Sequence, residues 1–479
     1  MKVLFYNWAD PMDPRRRGGG IGVYQRNLAS AMTGVDAQFL SSGLVHDLVP
    51  GPPRVTTLAD GQYTVVNSGV LAPSHADFAG ASQISHPATK AAICRFLRDT
   101  GPWQAIHFNT LEGVPADILS LKEKMPATRF ILSLHNYYPF CPQVNFWHRE
   151  IEACSGPGDG ARCTSCLPSQ PDARAIRTAY ALESLAARCC IQPGTLLFDR
   201  GLRPALSRGW RLLRGRAQAG ATAPPLADHF THRHARFVDL INRYCDTVLC
   251  VSRRVSLIAE AQGIDPERLS VLRIGTPEAD AWAQTTPKPA FATSPLRLAY
   301  LGYMRRDKGF VFLLDTLENM PDALAHRLDV VIAARGLTSE YAARLNRLRP
   351  RLAGLTLFDG YDHAQLDQIL RGVDAGIVPV LWEDNLPQVA IEMHARHIPL
   401  ITADKGGARE LGNAPEFVFR AGDAAGLTRI IRAILNGHLT PARYWRRAEA
   451  PVRMAEHARA LSEIYRGTPP SRMRRTVGF

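Results

Sequence analysis

Two carboxylates eight residues apart, Asp384 and Glu392, stand in the run Trp382-Glu383-Asp384-Asn385-Leu386-Pro387-Gln388-Val389-Ala390-Ile391-Glu392. Acids at that spacing on an amphipathic helix are usually a solvated face. The neighbouring residues point elsewhere. Asn385-Leu386-Pro387 reads as a turn opening a helix at about Gln388, and a helix N-terminus aimed at a ligand favours an anion. Asp384 then sits in the turn and Glu392 about one helical turn in, so both reach one small polar ligand. Before the turn, Ala375-Gly376-Ile377-Val378-Pro379-Val380 reads as a buried strand. After the helix, Ile398-Pro399-Leu400-Ile401 reads as another, and in such strand-turn-helix units ligands bind beyond the carboxyl ends of the strands.

Three further segments carry residues of matching chemistry. Gly19-Gly20-Ile21-Gly22-Val23-Tyr24 follows the first strand-like run and opens a helix. Its glycines let backbone approach a diphosphate, although alone they read equally as a flexible loop. A dinucleotide fingerprint fits poorly, because its spacing would need glycine at Val23. In Leu301-Gly302-Tyr303-Met304-Arg305-Arg306-Asp307-Lys308-Gly309 a strand end turns into a helix with Lys308 at the turn, while Arg305 and Arg306 read either as added positive charge or as a solvated turn. His135 ends the apolar run Phe130-Ile131-Leu132-Ser133-Leu134, which points it toward a cleft; His107 and Asn109 are similar but weaker candidates.

At 479 residues with 46% hydrophobic content, two domains are expected. Both read as α/β with parallel sheets. Strand-like runs fall at 2–8, 104–109, 129–135, 246–252 and 269–274, then at 296–302, 328–334, 354–358, 374–380 and 398–402, with helices between them, the first over Val23–Met32. We assign residues 1–285 to the first domain, with a cysteine-rich and basic insertion at about 140–235. Residues 286–295, with their prolines, read as a linker, 296–440 as the second domain, and 441–479 as a last helix at about Arg443–Tyr465 with a basic tail.

The net charge of +13 favours anionic partners, yet no aromatic-interleaved motif for nucleic acid is present. Leu206, Trp210 and Leu213 share a helical face flanked by arginines, which suits either a membrane surface or packing on the parent domain. No run is long enough to span a bilayer, and Lys2–Trp8 is too short for a signal-peptide core, so a cytoplasmic protein, peripheral at the inner membrane face if that segment binds lipid, is expected. Nine cysteines argue against a full disulfide framework. Cys141, Cys154, Cys163 and Cys166 could hold a structural zinc; otherwise they are reduced thiols in an insertion.

The run from Asp384 to Glu392, with Gly406-Gly407-Ala408-Arg409-Glu410 after it, resembles the Glu-x7-Glu segment and Gly-Gly-x-x-Glu loop of the family 4 retaining glycosyltransferases. Gly19–Tyr24 resembles that family's Gly-Gly-x-x-x-Tyr, Lys308-Gly309 its Lys-Gly, and His135 its strand-end His-Asp, with Asn136 in place of the acid. Tyr303 stands where an arginine is usual, and Asp384 replaces the first glutamate. The resemblance implies a GT-B fold of two Rossmann-like domains facing a cleft. It implies sugar transfer from a nucleoside-diphosphate sugar to a saccharide or lipid-linked acceptor, as in bacterial surface polysaccharide synthesis, with no cofactor. By the same resemblance His135, Lys308 and Asp384 are catalytic, and Gly19, Gly20, Arg305, Asn385, Leu386 and Glu392 bind the donor. Two rivals stand beside this reading: a nucleotide-sugar epimerase or phosphorylase on the same architecture, and a binding or scaffold protein in which Tyr303 and Asp384 mark lost catalysis.

Overall fold

The computed structural model describes residues 1–15, 17–167, 172–188 and 227–468. Among these residues ten strands belong to the first half: β1 (Lys2–Tyr6), β2 (Asp36–Val45), β3 (Arg54–Ala59), β4 (Gln62–Val66), β5 (Ala105–Phe108), β6 (Arg129–Leu134), β7 (Trp147–His148), β8 (Glu152–Ala153), β9 (Thr247–Cys250) and β10 (Leu269–Val271). All but the β7–β8 ribbon form one sheet of order β10-β9-β6-β5-β1-β2-β4-β3, parallel except at the β3–β4 edge. The second half contributes β11 (Leu296–Tyr303), β12 (Leu328–Arg335), β13 (Gly354–Asp359), β14 (Ala375–Val378), β15 (Leu400–Ala403) and β16 (Val418–Phe419). They make an all-parallel sheet of order β13-β12-β11-β14-β15-β16. β1, β5, β6, β9 and β14 are buried along nearly their whole length, which is why they read as continuous apolar runs.

Each sheet reverses its winding once, at β1 in the first and between β11 and β14 in the second. Such switch points leave a crevice at the carboxyl ends of the strands. The segments after β1 and β5 and those after β11 and β14 therefore carry the site, and they include the glycines from Gly18, Asn109, Lys308 and Asp384.

The chain passes between the sheets twice, and the two passages lie side by side. Thr276 N–H donates to Val452 O at 3.1 Å, and Thr276 bridges Arg453 in parallel. The helical pattern expected over 443–465 is broken into helices Pro441–Trp445 and Met454–Tyr465. Pro451 cannot continue a helix, and the interval around it carries the chain back to the first domain. Residues 286–295 run along the second sheet, where Lys288 pairs with Asp374 at 2.8 Å and the Phe291 ring lies tilted 6.2 Å from that of Phe417.

In the insertion, helix Ala173–Arg188 lies against the first domain, with Tyr180 OH donating to Ala72 O at 2.9 Å. The Leu206/Trp210/Leu213 stripe and the basic tail lie outside the described residues. No helix among the described residues is long and apolar enough to cross a membrane.

Candidate functional site

Helix Gln388–Ala395 begins where the sequence places it, after Pro387, and helix Gly19–Ala31 opens at the first glycine of its motif. Their first turns face each other across the domain boundary, for Gln388 Nε2 donates to Gly20 O at 3.2 Å. The N–H groups of a first helical turn have no partner within the helix, so two sets of donors and two positive dipole ends converge.

Lys308 lies in the turn after β11 and reaches the turn that precedes helix Gln388–Ala395. Its Nζ lies 2.6 Å from Asp384 Oδ2 and 4.9 Å from the centre of the Trp382 ring. Gly309, next in sequence, has φ +76°, and a Cβ there would collide with Pro379 O, so the lysine-glycine order follows from backbone geometry. Gly406 and Gly407 are packed as tightly on the strand-helix turn; side chains there would collide with the carbonyl oxygens of Asp384 and Asn385. Leu386 is buried in the same turn. Trp382 Nε1 and Asn385 Oδ1 are buried without a protein partner, which is uncommon for polar atoms.

Glu392 is 4% exposed and uses both carboxylate oxygens: Tyr361 OH donates to one at 3.1 Å, and His363 Nε2 lies 3.1 Å from the other. The Glu392 hydrogen bond raises the His363 pKa above its usual value. Glu392 lines a cavity of about 260 Å³ together with Gln388, Ile391 and His363 of the second domain and Tyr24 and Asn27 of the first. A carboxylate in such a cavity accepts from hydroxyl groups, whereas Lys308 and the helix ends suit phosphate oxygens.

His135 is half-buried at the end of β6. Its Nε2 meets Asn109 Oδ1 at 3.1 Å and its ring lies 5.0 Å from that of Tyr24. Burial, with His457 nearby, pushes its pKa down to about 3, so the imidazole is neutral. His107 instead is fully buried with both nitrogens engaged, to Tyr465 OH at 2.6 Å and Ser133 Oγ at 2.7 Å, a structural arrangement.

Arg305, expected as donor-binding charge, is held in two 3.0 Å bonds by the buried Asp307 while its side chain stays exposed, and Arg306 is exposed beside it. Zinc at the thiol cluster is not supported. Cys141, Cys154, Cys163 and Cys166 line one apolar cavity of about 20 Å³, but among the described residues no group of three or more His, Cys, Asp or Glu is arranged to hold a metal ion. Burial pushes Cys141 up to about 11 and Cys163 up to about 12, and Cys166 Sγ donates to Gln143 Oε1 at 2.7 Å.

Contacts between the domains were not legible in the motifs. Glu383, adjacent to Asp384, takes Arg254 of the first domain in bonds of 2.6 and 2.9 Å and accepts from Gly406 N–H at 3.0 Å. Glu410 caps helix Arg253–Ala261, accepting from Arg253 N–H at 3.0 Å and Arg254 N–H at 2.7 Å. Asn385 Nδ2 donates to Leu134 O at 3.1 Å, and Asn385 O accepts from Ser252 Oγ at 2.8 Å. The adjacent acids Glu383-Asp384 were the one available signal: a single ligand rarely needs both.

Burial alone would raise the Glu383 carboxyl, but the Arg254 and Gly406 hydrogen bonds and the Lys405 charge hold it down at about 2. A lowered carboxyl pKa contributes stability above its unfolded value, near 4.5, that is lost as pH falls through the folded one. Thermal melts between pH 5 and 2 are therefore expected to fall more steeply for the wild type than for Glu383→Gln. Parallel curves would remove this pair from the interdomain energetics.

Residues 295–437 match the family model of the glycosyl transferases group 1. Among solved structures, the chain is similar to Anabaena HepE in complex with UDP, at 13% identity and TM-score 0.52, over 97% of this chain and 95% of that one. It is similar to sucrose-phosphate synthase from Thermosynechococcus elongatus, at 15% and 0.55 over 98% of each chain. It is also similar to α,α-trehalose 6-phosphate synthase from Burkholderia multivorans, at 11% and 0.53 over 98% of each. No curated protein matches the sequence. The chain thus has the GT-B fold, and its residues 295–437 are similar to the glycosyl transferases group 1.

Proposed function

We propose that this chain is a retaining glycosyltransferase that moves a hexosyl group from a nucleoside-diphosphate sugar to a hydroxyl of a saccharide, free or lipid-linked, in surface polysaccharide synthesis. The observation that carries the reading is the facing of two helix N-termini across the domain boundary, with Glu392 in the cavity between the domains and Lys308 paired to Asp384 in the turn before one of the helices. Ribose hydroxyls donate to Glu392, the diphosphate lies between Gly19-Gly20, the Asn385-Leu386 amides and Lys308, and Asp384 and His135 face the sugar.

In the reaction, the bond from the anomeric carbon to the phosphate oxygen breaks while a bond to the acceptor oxygen forms on the same face. The acceptor proton passes to the departing phosphate. Charge accumulates on that phosphate, so preorganised positive potential there is the main catalytic demand. The interdomain bonds of Glu383, Asn385 and Glu410 hold the two walls together and limit loss of the sugar to water.

The test is a panel of UDP-, GDP- and ADP-sugars, scored by calorimetry and by slow donor hydrolysis, with the product anomer followed by NMR. UDP heads the panel because the similar Anabaena structure holds it. Binding and hydrolysis with retained configuration are expected. Binding without hydrolysis would favour the scaffold reading, in which Tyr303 and Asp384 mark lost catalysis, and no binding at all would remove the function. Peripheral attachment to anionic membrane is part of the proposal and rests on the +13 charge and the arginine-flanked Leu206/Trp210/Leu213 stripe. Flotation with anionic liposomes that is unaffected when Arg208, Arg211, Arg214 and Arg216 become Gln would remove that part.

A further inference from the structure

Helix Met454–Tyr465 is fastened to the first domain by two buried His–Tyr hydrogen bonds of opposite sense. Near its start, His457 Nε2 lies 2.6 Å from Tyr24 OH; at its end, Tyr465 OH lies 2.6 Å from His107 Nδ1. The second bond belongs to a closed structural set, because both His107 nitrogens are satisfied. The first instead reaches the site: His457, 2% exposed, meets the hydroxyl of Tyr24 through Nε2.

Tyr24 is also the ring against which His135 rests, 5.0 Å away. With its hydroxyl taken by His457, Tyr24 is fixed in rotation. Asn109 fixes the other side: its Nδ2 donates to Tyr6 O at 3.5 Å, which turns Oδ1 toward His135 Nε2 at 3.1 Å. His135 therefore carries its proton on Nε2 and keeps the Nδ1 lone pair to accept from a hydroxyl. We infer that His457 is a positioning residue: through Tyr24 it holds the His135 ring in the orientation that receives a sugar hydroxyl. The inference rests on the sugar-facing reading of His135 for its kinetic consequence, though not for its structural one.

The experiment compares full-length His457→Phe, His457→Gln, Tyr24→Phe and Tyr465→Phe with the wild type. Tyr465→Phe breaks a bond of the same type on the same helix without touching Tyr24. Imidazole nitrogen NMR of histidine-labelled protein is the first readout. The wild type and Tyr465→Phe should show the same His135 nitrogen signals, and His457→Phe and Tyr24→Phe should show them shifted. The second readout is turnover of the best donor: kcat falls roughly 10-fold in His457→Phe with KM within about 2-fold, Tyr465→Phe lowers the melting temperature alone, and His457→Gln, which still accepts from Tyr24, recovers most of the rate. Should His457→Phe fail to fold, Tyr24→Phe breaks the same bond from the other side. Unchanged His135 signals in that variant, or equal kcat losses in His457→Phe and Tyr465→Phe, would overturn the inference. A wild type that binds no nucleotide sugar would overturn the proposed function while the spectra still decide this point.

Discussion

Replacing Lys308 with alanine is expected to lower kcat by roughly 10²–10³, the cost of removing one preorganised charge from the place where negative charge develops. It should also destabilise the fold, because Asp384, 6% exposed, is left without its 2.6 Å partner. Stranding a buried charge costs about 3 kcal/mol. The two effects separate in the double variant Lys308→Ala/Asp384→Ala, where thermal stability should recover in part and turnover should not. Steady-state hydrolysis of the donor and thermal melts measure both. A single variant with wild-type kcat would take Lys308 out of the leaving-group site, whatever its stability.

Changing Glu392 to glutamine is expected to weaken nucleotide-sugar binding by about 1.5–3 kcal/mol, roughly 10- to 150-fold in Kd, as charge-assisted bonds to ribose become neutral ones. Shape is nearly conserved, and the amide oxygen can still accept from Tyr361 OH, so the fold should survive. The change leaves a second mark. The His363 pKa is raised chiefly by its bond to Glu392, so in the variant His363 should titrate closer to 6.5. Calorimetry with the donor and titration of His363 are independent. Unchanged affinity with a shifted His363 would mean that Glu392 serves its protein partners and not ribose.

The second sheet was the most legible part of the fold, because every one of its parallel strands except the short Val418–Phe419 is an apolar run bounded by turns. β2, β3 and β4 left no comparable mark. Asp36–Val45 buries Ser41, Ser42 and Gly43 beside its apolar residues, and Arg54–Ala59 is an almost wholly exposed edge, so neither shows the expected contrast. In the site, residues acting within one turn could be read from spacing, as with Lys308-Gly309 and the opening of helix Gln388–Ala395. The Arg305 pair with Asp307 was not legible, because charge near a phosphate motif reads the same whether free or paired two residues on. What could not be read was pairing across the cleft: Glu410 caps a helix more than 150 positions earlier, and Tyr24 meets His457 from the far end of the chain. Motif spacing reports local geometry, and these bonds are set by how two finished sheets meet.

The return of helix Met454–Tyr465 to the first domain also bears on how the protein is made. Domains commonly fold in order as they leave the ribosome. Here the first domain leaves with the Gly19–Ala31 helix uncovered, and with Tyr24 and His107 lacking His457 and Tyr465, for the rest of synthesis. The second domain, whose sheet ends at Phe419, can close before it. Completion thus runs opposite to translation: the half that emerges first is finished only after the second has emerged, and a ribosome stalled between the second sheet and helix Met454–Tyr465 would hold a closed second domain tethered to an open first one.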